Sequence, residues 1–378
     1  MKQTATQWKV TALAALIGAG SVAPAFASPD FDIRGRAHFD MAVHDEDETV
    51  LNDNVELRRA RIGVNGTINE FWDGRIEYDF SEEGVSASDV RLRRSLPMGR
   101  LIIGQTKVPM GLNQLTSSNN MTFIERSSVS NIVPDSRRIG LSYHLSEGQN
   151  TFQTMVYTRA LGDDKAEGNE RVGGAARYVF NPSLGNGQML HLGGSVAVED
   201  LGANNSVRFS DRPESRPAGV RLIDTNDDNI TDPIEDASST FKYGLELAYQ
   251  SGPFSAEAEY LSVEVDRRDN SDPTFDGFHV QASYVLTGES RSYSGGSFGG
   301  ISPSSSAGAW EIGARFSSMD LRDSGVTGGK QENITLGLNH YVTSNLRFMA
   351  NLIRSDITDG INGDETANIA SFRAAYHF

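Results

Sequence analysis

The sequence predicts an all-β fold: a transmembrane antiparallel β-barrel of about 16 strands. Three observations predict it. Segments in which apolar and polar residues alternate with period two recur from residue 31 to the last residue, Phe378. Many of the apolar faces are aromatic, which in a soluble sheet would be an aggregation hazard. Beyond residue 27 no stretch is long enough to cross a membrane as a helix, which takes about 20 residues. Whatever spans must therefore be strands whose backbone groups pair with one another.

Residues 1–27 read as a secretory signal peptide, with Lys2 and Lys9 as its basic start, Val10 to Val22 as a small apolar run and Ala25-Phe26-Ala27 before a cleavage at Ser28. The run is near 13 residues, too short for a spanning helix. Residues 28–378 then form one barrel domain. The chain has no cysteine, and a sheet that closes on itself needs no disulfide staple. Its net charge is −16, which becomes −18 once the signal and its two lysines are removed; nucleic acid is not expected as a partner for so acidic a chain. Only 38% of residues are hydrophobic, as suits a wall that needs apolar groups at alternate positions.

The strands are read, in order, at 31–43, 55–68, 71–81, 87–95, 99–108, 137–146, 151–160, 171–181, 188–199, 241–251, 254–267, 275–287, 308–322, 331–343, 345–357 and 366–378. Trp72, Gly74, Ile76, Tyr78 and Phe80 oppose Asp73, Arg75, Glu77, Asp79 and Ser81. Phe241, Tyr243, Leu245, Leu247 and Tyr249 oppose Lys242, Gly244, Glu246 and Gln250. At the end, Phe372, Ala374, Tyr376 and Phe378 oppose Ser371, Arg373, Ala375 and His377. One face meets lipid and the other a water-filled lumen, and a count near 16 makes that lumen wide enough for solutes. Short turns such as Gly252-Pro253 and Ser344-Asn345 join some strands; long links at 109–136, 200–240 and 288–307 join others. Short turns are expected on the periplasmic side.

On the second strand Arg59, Arg61, Asn65 and Thr67 share one face, and Ala60, Ile62, Val64 and Ile68 the other. The first face looks into the lumen. Its arginines fit two readings: an anion site, since a guanidinium offers paired donors to phosphate or carboxylate, or cations paired with acids.

Glu56-Leu57-Arg58-Arg59-Ala60-Arg61 resembles the paired-arginine strand of the phosphate-selective porin O and P family. Gly104-Gln105-Thr106-Lys107-Val108-Pro109-Met110-Gly111-Leu112, with Thr116-Ser117-Ser118 and Glu125-Arg126, is similar to that family's strand and inward-folding third loop. Arg137-Arg138-Ile139-Gly140, Pro213-Glu214-Ser215, Gly252 to Tyr260 and Tyr284 to Glu289 resemble further blocks, in family order. The C-terminal alternation ending in Phe378 resembles the insertion signal of bacterial outer-membrane barrels. The resemblance implies a homotrimer of sixteen-stranded barrels, held in outer-membrane lipid, that passes small anions such as phosphate. It implies a constriction with Arg58, Arg59 and the acid Asp89, and an arginine ladder in Arg208, Arg212, Arg216 and Arg221. Arg61 and Lys107 join the constriction set. Gln114 stands where the well-known members place a lysine.

Two further signals lie outside these blocks. Asp224, Asn226, Asp228, Asp232 and Glu235 carry oxygen side chains at the spacing of a calcium-binding loop; a solvated acidic loop is the other reading. No cofactor is otherwise expected. Catalysis finds little support: there is no thiol, and His340, between Leu338 and Val342, is the one candidate on a lipid-facing surface. The functional expectation is an anion-preferring outer-membrane porin. The alternatives are a general or weakly cation-selective porin, and a plugged barrel serving as adhesin or scaffold.

Overall fold

The computed structural model describes residues 30–81, 84–203, 205–226 and 234–378. Residues 1–27, expected as a signal peptide, lie outside the described residues. Sixteen strands close one antiparallel barrel in sequence order: β1 (Asp30–Glu46), β2 (Asn54–Thr67), β3 (Trp72–Asp79), β4 (Ser86–Ser95), β5 (Arg100–Lys107), β6 (Arg137–Glu147), β7 (Asn150–Tyr157), β8 (Val172–Phe180), β9 (Gln188–Asp200), β10 (Ala237–Ser251), β11 (Phe254–Arg267), β12 (Thr274–Val285), β13 (Ala309–Asp323), β14 (Val326–Tyr341), β15 (Leu346–Gly360) and β16 (Gly363–His377). Strand β1 pairs with β16 from Arg36↔His377 to Glu46↔Ala367, and Gly35 and Phe378 exchange both backbone bonds at 3.0 and 3.1 Å. Closure removes the free edge, so every strand satisfies its backbone within the wall.

The period-two pattern sets which way each side chain points. Ile76, Tyr78, Leu245, Leu247, Phe372 and Tyr376 are exposed on the outer face, while Glu77, Asp79, Lys242, Glu246 and Arg373 are buried inside. Alternation breaks once on β2. His38 pairs with Arg59 and Phe39 with Leu57, so Arg58 is an extra residue in a bulge. A bulge turns two successive side chains to one face, and both Arg58 and Arg59 reach the interior. Between Ile76 and Tyr78 the register slips again, and there Asp89 is brought inside.

An up-and-down barrel sends successive links to alternate ends. One end carries 47–53, 80–85, 108–136, 158–171, 201–236 and 268–273, with tight turns at 324–325 and 361–362. The other carries 68–71, 96–99, 148–149, 181–187, 252–253 and 342–345. It also carries 286–308, so the expected sorting of long links to one side fails there. The strand order fixes this, because 286–308 follows an even-numbered strand.

The interior is filled unevenly. Toward the long-loop end, β11–β16 face inward with apolar side chains: Leu261, Val263, Val265, Phe275, Met319, Leu321, Ile353 and Ile357. Leu222, Ile223 and Ile234 of the 201–236 link pack on them, with Val108, Met110, Val129 and Val133 of 108–136. Burial of each large apolar side chain stabilises by about 1.5–3 kcal/mol, which fixes both links against that wall.

Candidate functional site

A wet cavity of about 650 Å³ remains beside β1–β6. It is lined by fourteen cationic side chains and five carboxylates, although the whole chain is net −16. Charge is sorted by place. Asp47, Glu48, Asp163, Asp164, Glu167, Asp269 and Asp272 are exposed in links at the long-loop end, whereas arginines crowd the lumen wall. Fixed cations in a tube with low-dielectric walls raise the local anion concentration.

The arginine pair opened by the β2 bulge meets Glu125. Arg58 donates from Nε to Glu125 Oε1 at 2.9 Å and from Nη2 to Oε2 at 3.2 Å. Arg373 reaches the same Oε1 at 2.7 Å and also holds Asp40 with two bonds of 2.6 Å. Arg59 Nη1 stands 3.7 Å from Glu125. Burial alone would raise the Glu125 pKa, but Arg58, Arg59 and Arg373 outweigh it and hold the carboxyl well below the ordinary range, so it stays ionised. Arg61 pairs with Asp79 at 2.6 Å, and Asp89 takes Arg137 at 2.7 Å and Arg75 at 3.7 Å. Arg91 and Arg100 line the same cavity with no hydrogen-bonded or salt-bridged side-chain partner among the described residues.

The 108–136 segment contains α1 (Leu112–Leu115) and α2 (Ser128–Ile132) and is bonded to inward-facing side chains around the barrel. Glu259 accepts the amides of Leu112 at 2.5 Å and Asn113 at 2.9 Å; Glu257 accepts Asn113 Nδ2 at 2.9 Å. Asn339 Nδ2, Arg347 and Arg373 donate to the carbonyls of Thr122, Met121 and Ile124. Arg315 donates to that of Glu125, and the Ser128 amide donates to Glu214, which belongs to the 201–236 link and not to the wall. Lys107, expected at the constriction, lines the cavity and donates to the carbonyls of Gln114, Leu115 and Thr116, capping α1. Gly104 precedes it with φ +120°, where a Cβ would stand 2.3 Å from the Val90 carbonyl oxygen; only glycine fits. Gln114 is buried and lines the cavity.

The 286–308 link enters from the opposite end. Its ribbon, Tyr293–Ser294 against Ser297–Phe298, is gripped by inward side chains: Arg177 donates to Gly296 O at 2.8 Å, His191 contacts Tyr293 Oη at 2.6 Å, and Gln250 donates to Arg291 O at 2.8 Å. Arg291 donates to Thr122 Oγ1 at 3.1 Å and Asn120 O at 2.5 Å, so the two long links meet.

Of the expected ladder, Arg212, Arg216 and Arg221 line the cavity. Arg208 is outside its lining and forms a two-point ion pair with Asp224, one bond being Nε to Oδ1 at 2.8 Å. Both Asp224 oxygens, expected as calcium ligands, therefore serve an arginine. Asp224 Oδ1 also accepts the Asn226 amide at 3.0 Å; Asp228 and Asp232 lie outside the described residues. His340 stacks on Trp310 at 4.2 Å on the outer wall.

Sequence reading missed Arg36, Arg91, Arg93, Arg100 and Arg126 as cavity residues, and Glu125 as the partner of the arginine pair. A signal existed for Arg91 and Arg93, which alternate with Val90 and Leu92. For Glu125 and Arg126, which lie in a link without period, the signal was the resemblance of Glu125-Arg126 to the inward-folding third loop.

A family model described as Phosphate-selective porin O and P matches residues 31–378. Porin O of Pseudomonas aeruginosa is 28% identical over 86% of this chain and 82% of its own. Among solved structures, the trimer form of in-vitro folded OmpT, an outer-membrane protein of Vibrio cholerae, has a TM-score of 0.61 at 13% identity, covering 93% of this chain and 100% of its own. An anion-selective porin from Comamonas acidovorans has a TM-score of 0.60 at 12% identity, with the same coverage.

Proposed function

The chain belongs to the phosphate-selective porin O and P family, and from that premise we propose that its channel prefers small anions, phosphate among them. The protein is an outer-membrane porin, a β-barrel enclosing a passive route for solutes. One observation carries the selectivity: a lumen with fourteen cationic groups and five acids inside a chain that is net negative. That sorting sets like charges side by side against their mutual repulsion, and it favours anions entering the lumen. Arg212, Arg216 and Arg221 lead toward Arg58 and Arg59, and the 108–136 segment narrows the path between them and the wall. Homotrimers in outer-membrane lipid are the assembly this family and the trimeric OmpT neighbour suggest.

The test is a planar-bilayer recording of the purified protein in a potassium chloride gradient, repeated with potassium phosphate. A reversal potential on the chloride side, and a chloride current that phosphate reduces, are expected. A reversal potential on the potassium side would refute the anion reading and leave a general or cation-selective porin.

A further inference from the structure

We propose that Glu125 is a tethered counter-ion: its carboxylate occupies the Arg58–Arg59 pocket, competes with the permeant anion and sets how tightly the channel holds phosphate. The inference rests on the anion-conducting reading above.

The carboxylate sits where a permeating oxyanion would bind. Arg58 grips both of its oxygens as a guanidinium grips phosphate. Arg373 adds a third bond, but two of its other bonds go to Asp40. Arg59 Nη1 is buried and hydrogen-bonds no described residue. The pocket thus holds a resident anion that satisfies Arg58 and leaves Arg59 under-used. A phosphate arriving there meets cations already partly balanced, binds weakly and leaves quickly. A channel needs binding strong enough to admit an ion and weak enough to release it; Glu125 supplies the second half of that condition from within the chain.

A purely structural brace would explain the same ion pairs, but the segment does not depend on this one. Glu259, Asn339, Arg347 and Arg315 bond its backbone to the wall at Leu112, Thr122, Met121 and Glu125, and Glu214 of the 201–236 link bonds it at Ser128. The Glu125 side chain is the part of the segment that faces the arginine pair.

The experiment measures the inorganic phosphate concentration that halves the chloride current through single channels. Glu125→Gln removes one charge next to the pocket, and the half-blocking concentration is expected to fall roughly tenfold or more. The chain has no cysteine, so Glu125→Cys introduces a unique thiol. It is expected to match the Gln variant, to return toward wild type after labelling with anionic 2-sulfonatoethyl methanethiosulfonate, and to stay tight after neutral methyl methanethiosulfonate. A half-blocking concentration within twofold of wild type in both variants, with anion selectivity intact, overturns the role of Glu125 while sparing the anion channel. Equal effects of the two labels also overturn it. A cation-selective wild type refutes the anion channel itself. If neither neutral variant yields a conducting barrel, Glu125→Asp decides: its shorter reach loosens the grip on Arg58, and an unchanged half-block there overturns the proposal.

Discussion

Arg91 and Arg100 offer the cleanest test of whether lumen charge sets selectivity. Most lumen arginines hold an acid, and replacing them would orphan a carboxylate as well as remove a cation. These two hold none among the described residues, so Arg91→Gln with Arg100→Gln subtracts two charges and leaves the ion-pair network whole. They share the inner face with Arg93, and Arg100 lies opposite His144 on β6. An ion passing about 6 Å from each guanidinium in water-like surroundings gains or loses about 0.7 kcal/mol per charge. Screening at 0.1 M salt cuts that to roughly half, or about 0.7 kcal/mol for the pair. The anion loses what the cation gains, so the permeability ratio should fall about tenfold, the equivalent of about 1.4 kcal/mol. The assay is the reversal potential in a tenfold gradient about a mean near 0.1 M, with the fall shrinking as salt rises. A ratio within twofold of wild type would show that the cation excess on this wall does not govern permeation.

Three further outcomes are expected. Arg373→Ala strips the partner from buried Asp40 and should lower unfolding stability in detergent by about 3 kcal/mol, because the orphaned charge dominates; Asp40→Asn added to it should recover part of the loss in a urea titration, and no recovery would refute the pairing argument. Asp211, in the 201–236 link, has its pKa pushed up to about 7 by burial against the help of Asn131 and the Arg212 amide. It is neutral below that pH and negative above, so anion preference should weaken from pH 6 to pH 8, and Asp211→Asn should flatten the change; a pH dependence that survives the substitution would assign it elsewhere. Replacing 289–304 by a short turn removes the ribbon gripped by Arg177 and Gln250 and should raise single-channel conductance, which an unchanged conductance would contradict.

The sequence by itself determined the wall. A residue in a barrel strand sees either hydrocarbon or the interior, so period-two alternation assigns nearly every wall side chain without knowledge of its neighbours. That is why sixteen segments could be read, why Glu77, Lys242 and Glu246 were placed inside, and why Arg59 and Arg61 were assigned to the lumen. What fills the wall was decided by the tertiary structure. The bulge that turns Arg58 inward is a slip between β1 and β2, visible only when both strands are paired. Lys107 caps a helix of the 108–136 segment, and Glu125 meets Arg58 across 67 positions of sequence. The 286–308 ribbon reaches the lumen from the end where short turns were expected. Links have no period and no single solvent, so their course follows from side-chain contacts made at long range, and those contacts exist only once the barrel has closed around them.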